Sequence, residues 1–253
     1  MVSHFHLLLG MVLAAIVAAL AYRAHALTRS GAWAAWAVGT AVFGIGGWPA
    51  AGALLMFFGT STVLSRWRKT RKDALGYEKG GRRDAWQVLA NGGVGAVCLL
   101  LTLAGVKVGT LLFLAALAAA NADTWATEIG SALGGRPIDI RTGRRAEAGT
   151  SGAISLPGIA AALAGAALLG LFASSLPAFL IVTLAGFGGA LYDTLLGAAV
   201  QALWRDPSDP EQWTEKAQVG PPGRGVRLIG NDMVNFLCTL TAVGLAAGLA
   251  RLL

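Results

Sequence analysis

Apolar runs of about twenty residues recur along this chain, and none shows the alternation of a half-buried strand. Runs of that length leave a membrane span or a deeply buried helix as the only stable outcomes, because backbone polar groups in lipid must be satisfied within a helix. Charged residues make up 13% of the chain, against about 25% in a soluble domain. The 35 glycines and repeated alanines supply the small side chains that let membrane helices pack closely. The expected fold is therefore an all-α, polytopic transmembrane bundle forming one membrane domain over residues 1–253.

Hydropathy places eight spans at about 4–24, 31–46, 49–66, 84–104, 107–133, 152–172, 176–204 and 230–252. The stretch from Trp33 to Arg66 is too long for one helix at 1.5 Å per residue. Gly44, Ile45, Gly46, Gly47, Trp48 and Pro49 supply the break, pairing flexible glycines with a φ-locked proline. Charge then orients the eight spans. With both termini on the non-cytoplasmic side, 18 of the 20 Lys and Arg residues fall in inside loops, leaving only Lys107 and Arg251 outside. The large inside loops are expected at 67–83, 134–151 and 205–229, in a bacterial inner membrane.

The net charge of +7 belongs to those loops and does not call for a nucleic-acid partner. Cys98 and Cys238 lie in apolar segments without CxxC spacing and read as packing residues. His4, His6 and His25 sit near the ends of the first span and read as interfacial. The N-terminus lacks the basic start and cleavage pattern of a signal peptide, so the first run is expected to stay as a helix.

The polar residues inside the spans carry the chemistry. Asn121 to Gly130 reads NADTWATEIG, and its Asp123 and Glu128 follow the apolar run Val108 to Ala120. A carboxylate at such depth costs about 2.5 to 3.5 kcal/mol on insertion scales, so its retention points to function. Alternating helix directions bring four such groups to one leaflet: Asp84, Gln87 and Asn91; Asn121, Asp123 and Glu128; Asp193 and Gln201; Asn231, Asp232 and Asn235. Gln87 and Asn91 are four apart and share a face, whereas Asp123 and Glu128 are offset by about 140°. Carboxylates near a ring of Arg and Lys suit Mg²⁺ and phosphate together. Two glycine-bearing loops, Gly80–Arg83 and Gly149–Gly152, precede spans and could bring backbone N–H groups to a phosphate. The plainer reading of the second is an ordinary helix N-cap. Segment 205–229, rich in Pro and charge, reads as a solvated inner loop, a plain connector first and a mobile cover second.

The strings GGRRDAWQVLANGG, NADTWATEIG, GTSGAISLPG, LYDTLLGAAVQ and GNDMVN resemble the phytyl-phosphate kinase family of plants and cyanobacteria. Its wider group is catalogued as transmembrane-protein-19-like, or domain of unknown function ninety-two. The resemblance covers roughly residues 30 to 250, in order. Arg83, Gln87, Val88, Ala90, Asn91 and Gly92 match one motif, and Asp123, Thr124, Glu128, Ile129 and Gly130 a second. Gly149, Thr150, Ser151 and Gly152 match a third, with Ser in place of the family's Asn. Asp193, Thr194, Gly197, Ala198 and Gln201 match a fourth, with Thr in place of Ser, and Asn231, Asp232, Val234 and Asn235 a fifth.

The resemblance implies phosphoryl transfer from a nucleoside triphosphate, CTP first among them, to an isoprenyl monophosphate. On that reading Asp123, Asp193, Glu128 and Asp232 hold Mg²⁺, with Asp123 and Asp193 principal. Arg82, Arg83 and Arg145 neutralise phosphates, and Gly149, Thr150, Ser151 and Gly152 donate backbone N–H groups. Gln87, Asn91, Asn231 and Asn235 orient the bound groups. The expected partners are the bilayer, the isoprenyl phosphate and the nucleotide, with a homodimer allowed. A polyprenol kinase or a lipid-phosphate cytidylyltransferase would use the same site. A proton- or cation-coupled transporter is the rival of another class, but it needs a midplane site with access from both faces.

Overall fold

The computed structural model describes residues 4–67, 82–207, 213–215 and 217–252. Among these are eight α-helices: α1 (His4–Arg23), α2 (Arg29–Ile45), α3 (Gly47–Arg66), α4 (Ala85–Leu103), α5 (Gly109–Leu133), α6 (Leu156–Gly170), α7 (Leu176–Ala199) and α8 (Asn231–Leu249). Two small antiparallel pairs decorate the connections. β1 (Ile138–Asp139) pairs with β2 (Ala153–Ile154), and β3 (Trp204–Arg205) with β4 (Trp213–Thr214).

α5 is the axis of the bundle. Every residue from Leu112 to Ala122 is buried, as a helix apolar on all sides requires. Around it pack α3, α4, α6, α7 and α8, while α1 lies outside against α2. Small residues set the spacing: a Cβ added at Gly186 of α7 would lie 2.6 Å from the Cβ of Ala118 in α5, so the two backbones pack in direct contact. Asn121, fully buried, satisfies its amide across three helices. Its Nδ2 donates to Gly165 O at 2.8 Å, and its Oδ1 accepts from the Thr60 hydroxyl at 3.2 Å.

Five helices, α1, α3, α4, α7 and α8, are long and apolar enough to cross a bilayer by length and composition. α2 and α6 are shorter, at 17 and 15 residues. At the helix rise they reach roughly 26 and 22 Å, below the ~30 Å of a hydrocarbon core. α5 is long enough, but Asn121, Asp123 and Glu128 interrupt its apolar run. Outward-facing large apolar side chains, such as Ile16, Val97, Leu184 and Leu195, give the helices a lipid-facing surface.

The expected break between the second and third spans is present. Gly46 caps the end of α2 and the start of α3, and Gly47 adopts φ +66°. Two expected spans are shortened. The sixth starts at 156 and not at 152, because Ala153 and Ile154 are extended in β2 and Ser155 is the N-cap, accepting from Gly158 N at 3.2 Å. The seventh ends at Ala199 and not at 204, because Gln201 to Leu203 run outside the helix and Trp204 enters β3. Most of loop 67–83, including Gly80 and Gly81, lies outside the described residues, as do 208–212 and Lys216.

Candidate active site

One end of the bundle holds a cavity of about 260 Å³. The helices reach it from opposite directions. α5 and α7 bring their C-terminal halves, α3 its last turn, and α4, α6 and α8 their first turns. All four polar groups expected from the sequence therefore meet there: Gln87 and Asn91, Asp123 and Glu128, Asp193 and Gln201, Asn231 and Asn235.

Asp123 of α5 and Asp193 of α7 meet across the two helices, their carboxyl groups within hydrogen-bonding reach of each other. Asp193 Oδ2 is buried and has no hydrogen-bond partner. Two acids in contact, one with an orphaned oxygen, form a site that a cation would complete. The threonines that follow them turn away: Thr124 Oγ1 donates to Ala120 O at 2.8 Å and Thr194 Oγ1 to Ala190 O at 3.2 Å.

The other two expected metal ligands are placed differently from the pair. Glu128 lines the cavity but accepts from Ser65 Oγ at 2.7 Å. Asp232 lies in the first turn of α8 and is not part of the lining. Among the described residues no group of three or more His, Cys, Asp or Glu side chains is placed to hold a metal ion. The Asp123–Asp193 pair would suit Mg²⁺: that ion is ordinarily held by one or two carboxylates, with substrate phosphates and water completing its shell.

The basic wall is built by backbone pairing. Arg83 N donates to Ala26 O and Thr28 N to Arg83 O, both at 2.9 Å, which locks the arginine pair against the α1–α2 connection. Gly31 makes the approach feasible, since a Cβ there would overlap Arg83 O. Arg82 Nη2 donates to Leu27 O at 3.2 Å, and its guanidinium lies 5.9 Å from the Tyr22 ring centroid. Arg83 Nη1 donates to Thr62 Oγ1 at 3.0 Å beneath the Phe58 ring. Burial pushes the Arg83 guanidinium below its ordinary value, while the negative charge of Glu128 opposes that shift. Asp84 serves as the α4 N-cap, accepting from Gln87 N at 3.1 Å. The expected phosphate ligand Arg145 does not reach the cavity; its Nη1 donates to Arg136 O at 3.4 Å on the exposed loop.

The Gly149–Gly152 loop also lines the cavity, and it is not a helix cap. Gly149 and Gly152 take φ +90° and +81°, conformations that L side chains rarely adopt. The loop rests on α7, where Gly197 leaves room for Ser151. Ser151 Oγ donates to Gln201 Oε1 at 3.0 Å, and Gln201 Nε2 donates to Glu215 Oε1 at 2.8 Å.

Several lining residues were not expected. Ser65, Thr127 and Ser131 add hydroxyls from α3 and α5, and Glu215 comes from the segment read as a connector. That segment also closes onto α7 through Arg224, which donates to Ala198 O. A signal existed for α3: Ser61, Thr62 and Ser65 cluster at the end of an otherwise apolar span. Nothing local marks Glu215, whose place depends on the β3–β4 pairing.

Comparison with known proteins assigns the chain. The family described as integral membrane protein DUF92 matches residues 12–243, and this chain belongs to it. Protein PGR of Arabidopsis thaliana is 30% identical, with 93% of each chain covered. A Methanocaldococcus jannaschii protein described as uncharacterized membrane protein MJ0933 is 33% identical over 57% of this chain and 62% of its own. The uncharacterized membrane protein sll0875 of Synechocystis is 29% identical over 70% and 73%. No solved structure matches.

Proposed function

We propose that this protein is a membrane phosphotransferase. It moves a phosphoryl group from a nucleoside triphosphate, CTP first among them, to an isoprenyl monophosphate of the phytyl type, giving the diphosphate. The observation that carries this reading is the adjacent pair Asp123–Asp193, in a cavity whose lining also includes Arg82, Arg83 and the Gly149–Gly152 loop. Phosphoryl transfer asks a protein mainly for positioning and charge neutralisation, and these are the groups that supply both.

Asp123 and Asp193 would hold Mg²⁺, which supplies neutralisation of phosphate charge. Arg83, fixed by Thr62 and its backbone pairing, presents a rigid cation to the donor phosphates. The Thr150 N–H is used on Glu147 O at 3.2 Å, so backbone donation falls to Gly149, Ser151 and Gly152. Gln87, Asn91, Asn231 and Asn235 orient the acceptor. The acceptor phosphate oxygen attacks the γ-phosphorus as the bond to the β-phosphate oxygen breaks. It is already anionic, so no general base is needed.

The proposed orientation rests on charge: with all eight helices crossing, the shorter α2 and α6 included, and both termini on the non-cytoplasmic side, the cavity opens to the cytoplasm, where nucleotide is found. An end-on cavity also favours a cytoplasm-facing enzyme over a carrier, whose site belongs near the midplane. The test is purified protein with Mg²⁺, a set of isoprenyl phosphates and each nucleoside triphosphate, followed by product identification. Isoprenyl diphosphate with nucleoside diphosphate is expected. A CMP-linked lipid with pyrophosphate would reassign the chemistry to cytidylyl transfer, and no product from any pair would refute the proposal.

A further inference from the structure

A second opening lies on the flank of the bundle. It is a groove of about 590 Å³ along α3, lined by Gly52, Met56, Gly59, Thr60, Val63 and Trp125. The first five share one face of α3, at helical spacing. Trp125 of α5 forms the floor; its indole Nε1 donates to Thr60 Oγ1 at 3.4 Å, and it packs against Gly165 of α6. α3 and α6 touch only slightly elsewhere, which leaves the groove unfilled. Apart from Thr60, whose hydroxyl is engaged with Met56 O at 2.9 Å, the lining is apolar.

The groove adjoins the polar cavity. Leu64 and Trp125 line the groove, and the next residues along the chain, Ser65 and Ala126, line the cavity. Its far end lies at Gly52, where an added Cβ would sit 2.8 Å from the Phe172 ring. From Gly52 to Ser65 the helix rises roughly 20 Å. An apolar trough of that length, ending beside arginines and an acid pair, matches an amphiphile with an anionic head and one long tail. Its volume falls within the ~300–1,000 Å³ of ligand sites.

We infer that the α3 groove holds the isoprenyl tail of the acceptor while its phosphate enters the cavity. The inference rests on the phosphotransferase reading for the identity of the head, and on the groove alone for the place of the tail. Val63 and Leu55 are exposed along α3, so the tail enters sideways from the bilayer and never crosses the aqueous mouth. The closure at Gly52 and Phe172 limits tail length, so chain-length preference is set on α3.

Gly59 gives a clean test, because a Cβ added there meets no atom within 4 Å. Gly59→Phe therefore adds bulk on the groove face of α3 with no clash at its Cβ. Turnover is measured with dimethylallyl, geranyl, farnesyl and geranylgeranyl phosphates. The expected result is a fall on the order of tenfold or more in kcat/KM for geranylgeranyl relative to geranyl phosphate, since several buried methylenes lose their site. An unaltered chain-length profile overturns the inference and leaves the phosphotransferase reading standing.

A second measurement does not need turnover. Geranylgeranyl phosphate carrying a terminal diazirine is photolysed with the wild-type protein in vesicles, and the labelled peptides are mapped. Label within 52–64 that unlabelled geranylgeranyl phosphate competes away supports the groove, even if no phosphoryl transfer is seen. Label elsewhere, or label that only bulk bilayer lipid dilutes, overturns it.

Discussion

Asp123→Asn and Asp193→Asn are each expected to lower kcat for phosphoryl transfer by on the order of 10² to 10³, the scale on which a lost charge-stabilising group acts. The effects should not add. Each substitution dismantles the same pair, so the double variant is expected to be little worse than either single one. Stability should move the other way. Two carboxyl groups in contact within a buried helix pair repel when ionised, and removing one relieves that repulsion. The variants are therefore expected to fold with a Tm at or above that of the wild type, the pattern of a site that sacrifices stability for function. Thermal melts alongside transfer rates check both halves. A variant that loses activity together with its fold would place these acids in the scaffold.

The second large effect falls on the Gly149–Gly152 wall. Gly152→Val forces a β-branched residue to φ +81° and sets its Cβ 2.5 Å from the Cα and Cβ of Ala198. The backbone strain costs about 1 to 3 kcal/mol, and the overlap a similar amount, so the loop should lift from α7. A displacement of about 1 Å in a positioned group can cost roughly 10²-fold in rate. Transfer by the folded variant is expected to fall by about that factor, with KM for the nucleotide raised. Ser151→Ala is the contrast. It removes one hydroxyl bonded to Gln201 Oε1 at 3.0 Å and leaves the backbone path intact, so only a few-fold loss is expected. Steady-state kinetics with the nucleotide varied separate the two.

Much of this arrangement was legible in the chain. Helices set by hydropathy and by the Gly46–Gly47 break fall close to where the residues place them, because long apolar periodicity has few competitors. That Asp123 and Asp193 reach the same end of the bundle followed from helix direction: two helices running the same way carry their acids at similar depth, and packing of α7 on α5 then brings them together. What failed was information held by neighbours. Glu128 shares a motif with Asp123 and lines the same cavity, yet the helix period turns its Oε1 to Ser65 of α3, a partner that sequence proximity did not indicate. Asp232 adjoins Asn231 in the same string, and only Asn231 lines the cavity. Arg145 carried the right charge, but the β1–β2 hairpin holds it over Arg136 O. Glu215 was hidden because its position is decided by a two-residue strand pair and by Gln201. Helix ends suffered for the same reason. α6 starts late because Gly152 turns at φ +81° and β2 keeps Ala153 and Ile154 extended, a preference with no apolar signature.

The central claim is that Asp123 and Asp193 act as one divalent-cation site for a bound nucleotide. Mn²⁺ can stand in for Mg²⁺, and its binding to purified protein with CTP can be followed by electron paramagnetic resonance. One nucleotide-dependent site is expected in the wild type. Asp123→Asn and Asp193→Asn should each weaken it by on the order of tenfold or more, and Asp232→Asn should leave it close to the wild-type value. Mn²⁺ binding that is indifferent to Asp123 and Asp193, or that follows Asp232, would contradict the account.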